Sequence, residues 1–314
     1  MKKVKVFEMP SLYRAPFVIE GLHFGEGETS AAIVGAMRGN EIQQLYICSQ
    51  LVRKLKAIEA EGGLRKGRSV EIIPCVNPYS VNIGKRFWAM DDTDINRMFP
   101  GYDQGETTQR IADGVFRHLQ GWKLGIHFAS FYRRGVFVPH VRMMQTDFVQ
   151  PQGAVDFGLP YVLVHKPLPI DTTTLNYNWQ IWNTRAYTIY TSETSAIDPV
   201  SARLAVNAVL RFLVRNGIIR YKIDGGRVPQ MLGDEQLSRV HARAAGIWRR
   251  LTAPGEQAHK GQCLGEIIDP MQGEVIEKVE APADGVVFFA CNDALVMQRQ
   301  VLFELVRDYH ADEI

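Results

Sequence analysis

Apolar positions in the first part of the chain come in short blocks separated by polar, turn-forming residues. Residues 30–36 (SAAIVGA) are a brief run of small apolar side chains, which reads as a buried strand. GNE follows, and across residues 42–60 Leu45, Leu51, Leu55 and Ile58 recur at roughly helical spacing, so strand, loop and helix are predicted in that order. Residues 70–76 (VEIIPCV) give a second buried strand, closed by the turn-prone Asn77-Pro78. A helix is predicted over 107–119 and a strand over 124–128. Further on, residues 186–191 (AYTIYT) read as a strand, and 199–216 as an amphipathic helix stopped by Asn216-Gly217. This repeated strand-helix order predicts a mixed α/β sheet.

The pattern changes near residue 222. DGG, APGE, HKGQ, MQGE and APADG then punctuate short apolar runs such as CLGEII, GVVFFA and VLFELV, which predicts a compact β unit. The reading divides the chain into an α/β domain over 1–222 and a β-rich domain over 223–314. Two AP-containing phrases within the latter resemble each other weakly, as a pair of half-motifs would.

Composition narrows the function. With 36 Lys plus Arg against 34 Asp plus Glu, the net charge of +2 gives no electrostatic case for a nucleic-acid partner. MKKVKVFEMP lacks the apolar core of a secretory signal and no later stretch approaches a membrane span, so a cytoplasmic protein without a membrane partner is expected. Four cysteines without a C-x-x-C pair read as buried thiols rather than a disulfide framework or zinc knuckle.

Three polar clusters follow apolar strands: Arg38-Gly39-Asn40-Glu41, then Asp94-Ile95-Asn96-Arg97 with Arg86 upstream, then Gly125-Ile126-His127. Polar residues just past strands meet at the carboxyl edge of an α/β sheet, where ligand sites form, so one cleft is expected. In order and spacing these clusters resemble the succinylglutamate desuccinylase/aspartoacylase family of zinc carboxypeptidase-like proteins. Family members show H-G-[ND]-E, N-P at a strand end, an arginine before D-L-N-R-x-F-P-G, and D-L-H; the chain has RGNE, Asn77-Pro78, Arg86, DINRMFPG over 94–101, and GIH. DINRMFPG is the most specific of these matches.

The resemblance implies a mixed-sheet zinc carboxypeptidase-like domain followed by a small β domain akin to biotinyl or lipoyl carriers. It implies zinc held by Glu41 and His127, an oxyanion stabilised by Arg86, a substrate carboxylate held by Asn96 and Arg97, and Glu193 in YTSETSA as general base and then acid. Arg38 stands where the family has its first metal-ligand histidine. A guanidinium has no lone pair to offer a metal, and Gly125 replaces the aspartate that usually precedes the second histidine.

Two functional readings therefore stand. One is a metal-dependent amidohydrolase acting on an N-acyl amino acid or short peptide with a free carboxylate, with His23 or His140 as a substitute ligand. The other is a metal-free descendant that binds a small anion through Arg38, Arg86 and Arg97. A third, a regulatory protein acting through its β domain, is the structural alternative. Tyr177, Trp179 and Trp182 are read as core, residues 131–134 (FYRR) as a charged loop near His127, and self-association is left open.

Overall fold

The computed structural model describes residues 1–131 and 134–307. They fall into two compact units, one made of Met1–Ser130, Pro139–Tyr190 and Thr194–Met231, the other of Phe131–Val138, Thr191–Glu193 and the chain from Leu232.

In chain order, the elements up to the start of the second unit's main segment are β1 (Lys2–Met9), β2 (Phe17–Gly25), β3 (Gly27–Ala36), α1 (Ile42–Ala60), β4 (Gly67–Cys75), α2 (Pro78–Asn82), α3 (Thr107–His118) and β5 (Leu124–Phe128). They continue with β6 (Gly135–Phe137), β7 (His140–Met144), β8 (Tyr161–His165), α4 (Leu175–Ile181), β9 (Arg185–Tyr190), α5 (Pro199–Arg215) and β10 (Gln230–Gly233). The large sheet runs β1-β2-β4-β3-β5-β9-β7-β8-β10. Its centre is parallel, β4 with β3, β3 with β5 and β5 with β9, while β2 joins β4 and β7 joins β9 antiparallel. The mixed sheet predicted from the sequence is present.

Strand alternation explains the two cores. Ala31 and Ile33 of β3, Ile126 and Phe128 of β5, and Tyr187 and Ile189 of β9 turn to one face, where they meet Ile47, Leu51 and Leu55 of α1 and Val209 and Phe212 of α5. Ala32, Val34 and Ala186 turn to the other face, against Ile111 and Val115 of α3 and Leu175 and Trp179 of α4. Each valine, leucine, isoleucine or phenylalanine among them contributes about 1.5–3 kcal/mol by leaving water. Helix α5 starts where Asp198 accepts hydrogen bonds from the N–H groups of Val200 and Ser201, ahead of Pro199 in the first turn, and Gly217 follows it at φ +66°.

The second unit is all β: β11 (Leu237–His241), β12 (Gly246–Arg250), β13 (Gln257–Ala258), β14 (Cys263–Ile268), β15 (Val275–Glu280), β16 (Gly285–Cys291), β17 (Leu295–Val296) and β18 (Val301–Arg307). One sheet is β11-β18-β16-β13, with β6 also paired to β16; the other is β15-β14-β12-β17. Trp248 packs on Phe303 and donates its indole N–H to the Cys291 carbonyl at 3.2 Å, which satisfies the one polar atom of a large buried ring.

Candidate functional site

Strand β3 delivers the chain to a tight turn before α1. The Glu41 side chain folds back over this turn, and its Oε2 accepts the main-chain N–H groups of Met37 at 2.8 Å and Arg38 at 2.9 Å. Gly39 donates its N–H to the Arg86 carbonyl at 2.9 Å. A Cβ at Gly39 would sit 2.1 Å from the Lys85 carbonyl oxygen and 2.5 Å from that of Ser80, so only glycine permits this close approach.

The turn presents Arg38 to a buried ring of acceptors. Its Nη1 donates to Glu41 Oε1 at 3.1 Å and to Ser130 Oγ at 3.3 Å; its Nε and Nη2 grip the Asp94 carboxylate, Nη2 reaching Oδ2 at 2.8 Å. The Ser130 hydroxyl donates to Glu41 Oε1 at 2.6 Å. Arg38 is 3 % exposed and Glu41 0 %. Burial alone favours the neutral guanidine, but the Glu41 and Asp94 carboxylates outweigh it and hold Arg38 more firmly protonated than an ordinary arginine. Asp94 also accepts the Asn96 N–H, so the same carboxylate that clamps Arg38 shapes the turn Ile95–Arg97.

His127 lies on β5, paired with Val34 of β3. It is 1 % exposed and its Nε2 has no hydrogen-bond partner. Burial lowers its pKa to about 4, a tendency that Arg38 reinforces and that Glu41 and Asp94 only partly offset, so the imidazole is neutral at pH 7.

Asn96 is buried, and its Oδ1 accepts the Leu175 N–H at 3.1 Å at the start of α4. Arg97 donates from Nη1 to the Asn96 carbonyl. Burial works to raise the Asp171 carboxyl, but hydrogen bonds from His165 and the Leu168 N–H, with the charge of Arg97, hold it below the ordinary range. The Arg86 guanidinium lies over the Phe87 ring, 5.2 Å from its centroid.

The first unit thus holds Arg38, Glu41, Arg86, Asn96, Arg97 and His127, with Arg38, Glu41 and His127 in mutual electrostatic reach. Glu193 groups with the second unit, where its carbonyl accepts the Thr191 hydroxyl at 3.2 Å. His23 is engaged elsewhere, with Glu71 at 3.1 Å. His140 stacks on Tyr190 at 5.3 Å, and Arg142 lies over the same ring at 4.7 Å. In the FYRR loop, Tyr132 and Arg133 lie outside the described residues. Sequence reasoning missed Ser130 and Tyr190, for which no local motif speaks, and gave Asp94 no role of its own, although it opens the DINRMFPG phrase.

These donors do not fit a divalent cation. A catalytic zinc site needs protein ligands with lone pairs to spare, whereas both Glu41 oxygens already accept two hydrogen bonds each and a cation is held between Glu41 and Asp94. Among the described residues, no group of three or more His, Cys, Asp or Glu is arranged to hold a metal.

Residues 28–179 match the succinylglutamate desuccinylase/aspartoacylase catalytic domain. Over those residues, just under half of its length, the chain is similar to that catalytic domain. A relative, the N-alpha-acetyl-L-2,4-diaminobutyric acid deacetylase of Halomonas elongata, is 26 % identical over 276 residues, 83 % of this chain and 77 % of the relative. The crystal structure of succinylglutamate desuccinylase/aspartoacylase from Rhodobacter sphaeroides superposes with a TM-score of 0.80 at 19 % identity, covering 98 % of this chain and 96 % of that one. The product-bound ectoine utilization protein EutE (DoeB) from Ruegeria pomeroyi gives 0.79 at 19 % identity, covering 96 % and 93 %. At these identities the likeness shows a shared fold and no more.

Proposed function

We propose that this chain recognises a small N-acyl amino acid with a free carboxylate, the class on which its deacetylase relative acts, and does so without a metal. The observation that carries the reading is the Arg38 guanidinium held between Glu41 and Asp94. A fixed protein cation there satisfies the carboxylates that would otherwise face a divalent ion, and its bidentate grip on Asp94 leaves the Asn96-Arg97 turn positioned for a ligand carboxylate. Arg97 and the Asn96 amide nitrogen supply the donors, and Arg86 adds positive charge. The position of Arg38 in the family pattern, where the resemblance expects a metal-ligand histidine, supports the same reading.

A second reading is hydrolysis of the same amide class with a divalent metal. The catalytic-domain match over residues 28–179 and the unpartnered His127 Nε2 favour it. Arg86 would then stabilise the oxyanion. It requires Arg38 to leave Glu41.

Calorimetric titration with N-α-acetyl-L-2,4-diaminobutyrate, paired with an assay for acetate release with and without added zinc, separates the two. The metal-free reading expects saturable binding, weakened roughly tenfold or more by Arg97→Ala through loss of a charge-assisted hydrogen bond, and no acetate release. Zinc-dependent release by the wild-type chain refutes it and establishes the hydrolase.

A further inference from the structure

Facing α4 on the large sheet is a polar row that starts at His127 and continues through residues that neither the motifs nor the Arg38 cluster uses. Register pairs His127 with Thr188 and Thr188 with Arg142, so these three are cross-strand neighbours. Their sequence neighbours Ile126, Phe128, Tyr187, Ile189, Val141 and Met143 fill the opposite core, so the row points to the α4 side.

Helix α4 lies over this face with a fixed direction. Its first N–H is held by Asn96, its Trp179 ring packs where a Cβ of Gly125 would be 2.6 Å away, and Thr184 just beyond it donates to the Trp122 carbonyl before β5 begins. It therefore runs antiparallel to β5 and β9. Asn176, three residues before Trp179, shares its helix face one turn nearer the carboxyl ends of the strands. That places Asn176 over the stretch of sheet beyond Gly125, toward His127 and Thr188.

Asn176 is 3 % exposed, and neither its Oδ1 nor its Nδ2 has a protein partner; His127, two residues beyond Gly125 on β5, leaves Nε2 unpartnered. Buried carboxamides left unbonded are costly, and native proteins meet them with water or a ligand. A carboxamide offers one acceptor and two donors, so a carboxylate ligand leaves Oδ1 facing negative charge, whereas a secondary amide satisfies both ends: its N–H donates to Oδ1 and its C=O accepts from Nδ2.

We propose that Asn176 is the specificity residue that reads the amide link of the bound N-acyl amino acid, with the His127 Nε2 as a neighbouring acceptor. This assignment rests on the N-acyl ligand class proposed above.

The test is calorimetric titration of the full chain, wild type and Asn176→Ala, with N-α-acetyl-L-2,4-diaminobutyrate and with unacetylated 2,4-diaminobutyrate, together with thermal unfolding of each free protein. Asn176→Ala is expected to lose roughly tenfold or more in affinity for the acetylated probe while staying within about twofold for the unacetylated one. Because Asn176 makes no side-chain hydrogen bond to the protein, the free variant is expected to melt no lower than wild type. Equal weakening for both probes, no change for either, or a lowered melting temperature overturns the assignment while leaving the ligand class standing. A wild-type chain that binds neither probe overturns the ligand class and the assignment together.

Discussion

At the scale of single residues, the deciding group is Arg38. A guanidinium with almost no access to water survives only because carboxylates and a serine oxygen surround it, and those carboxylates depend on it in turn. Arg38→Met is therefore expected to cost about 3–5 kcal/mol in urea unfolding, since it strands Glu41 without its charged partner. A loss below about 1 kcal/mol would mean that the cluster does not hold the fold. Lysine is a poor substitute, because a single ammonium cannot reproduce the fork that grips Asp94 while Nη1 bonds Glu41. The sequence made the anomaly at position 38 legible, since the surrounding GNE and DINRMFPG phrases frame it. It did not reveal Asp94 and Ser130 as the acceptors, because contacts 56 and 92 residues away leave no local signal.

Among elements, long-range side-chain ties do what the strand pattern alone does not. Glu71 of β4 is buried and accepts from His23 of β2 and His118 of α3, joining three elements through one carboxylate. Burial tends to raise the Glu71 pKa, but the two histidines reverse this and hold the carboxyl below its ordinary value. A depressed carboxyl stabilises the fold fully above its unfolded pKa of about 4.5 and loses that contribution as pH falls through the folded value. Glu71→Gln is thus expected to lower stability by roughly 1–3 kcal/mol at pH 7, with the gap to wild type closing below about pH 4. A gap that stays constant with pH would contradict the charged pairing. The helix over 42–60 and the strand over 124–128 were legible because the one has a long period and the other a largely apolar run. The hairpin of β1 and β2 was not: β1 sits at the sheet edge, and its KKVKVFEM pattern buries only Val6, so only pairing with β2 makes it a strand. Strands β7 and β8 were missed for a related reason, as five-residue runs in which His, Arg and Tyr interrupt the apolar pattern.

Over the whole molecule, the family fold was legible from ordered motifs, while composition after residue 222 spoke for a β-rich segment. Nothing in composition signals that the short stretches 131–138 and 191–193 group with the second unit, because that grouping arises from pairings such as β6 with β16. Glu193 belongs to one of those stretches. Without it, the first unit is a mixed-sheet scaffold that holds a guanidinium between two carboxylates. The most direct test of that claim is elemental analysis of the full chain and of Arg38→His after exposure to zinc and removal of the excess. The account predicts no stoichiometric zinc in the wild-type protein and a near-stoichiometric amount in Arg38→His, where imidazole, Glu41 and His127 become available together. Near-stoichiometric zinc in the wild-type chain, lost on Glu41→Ala, would contradict it.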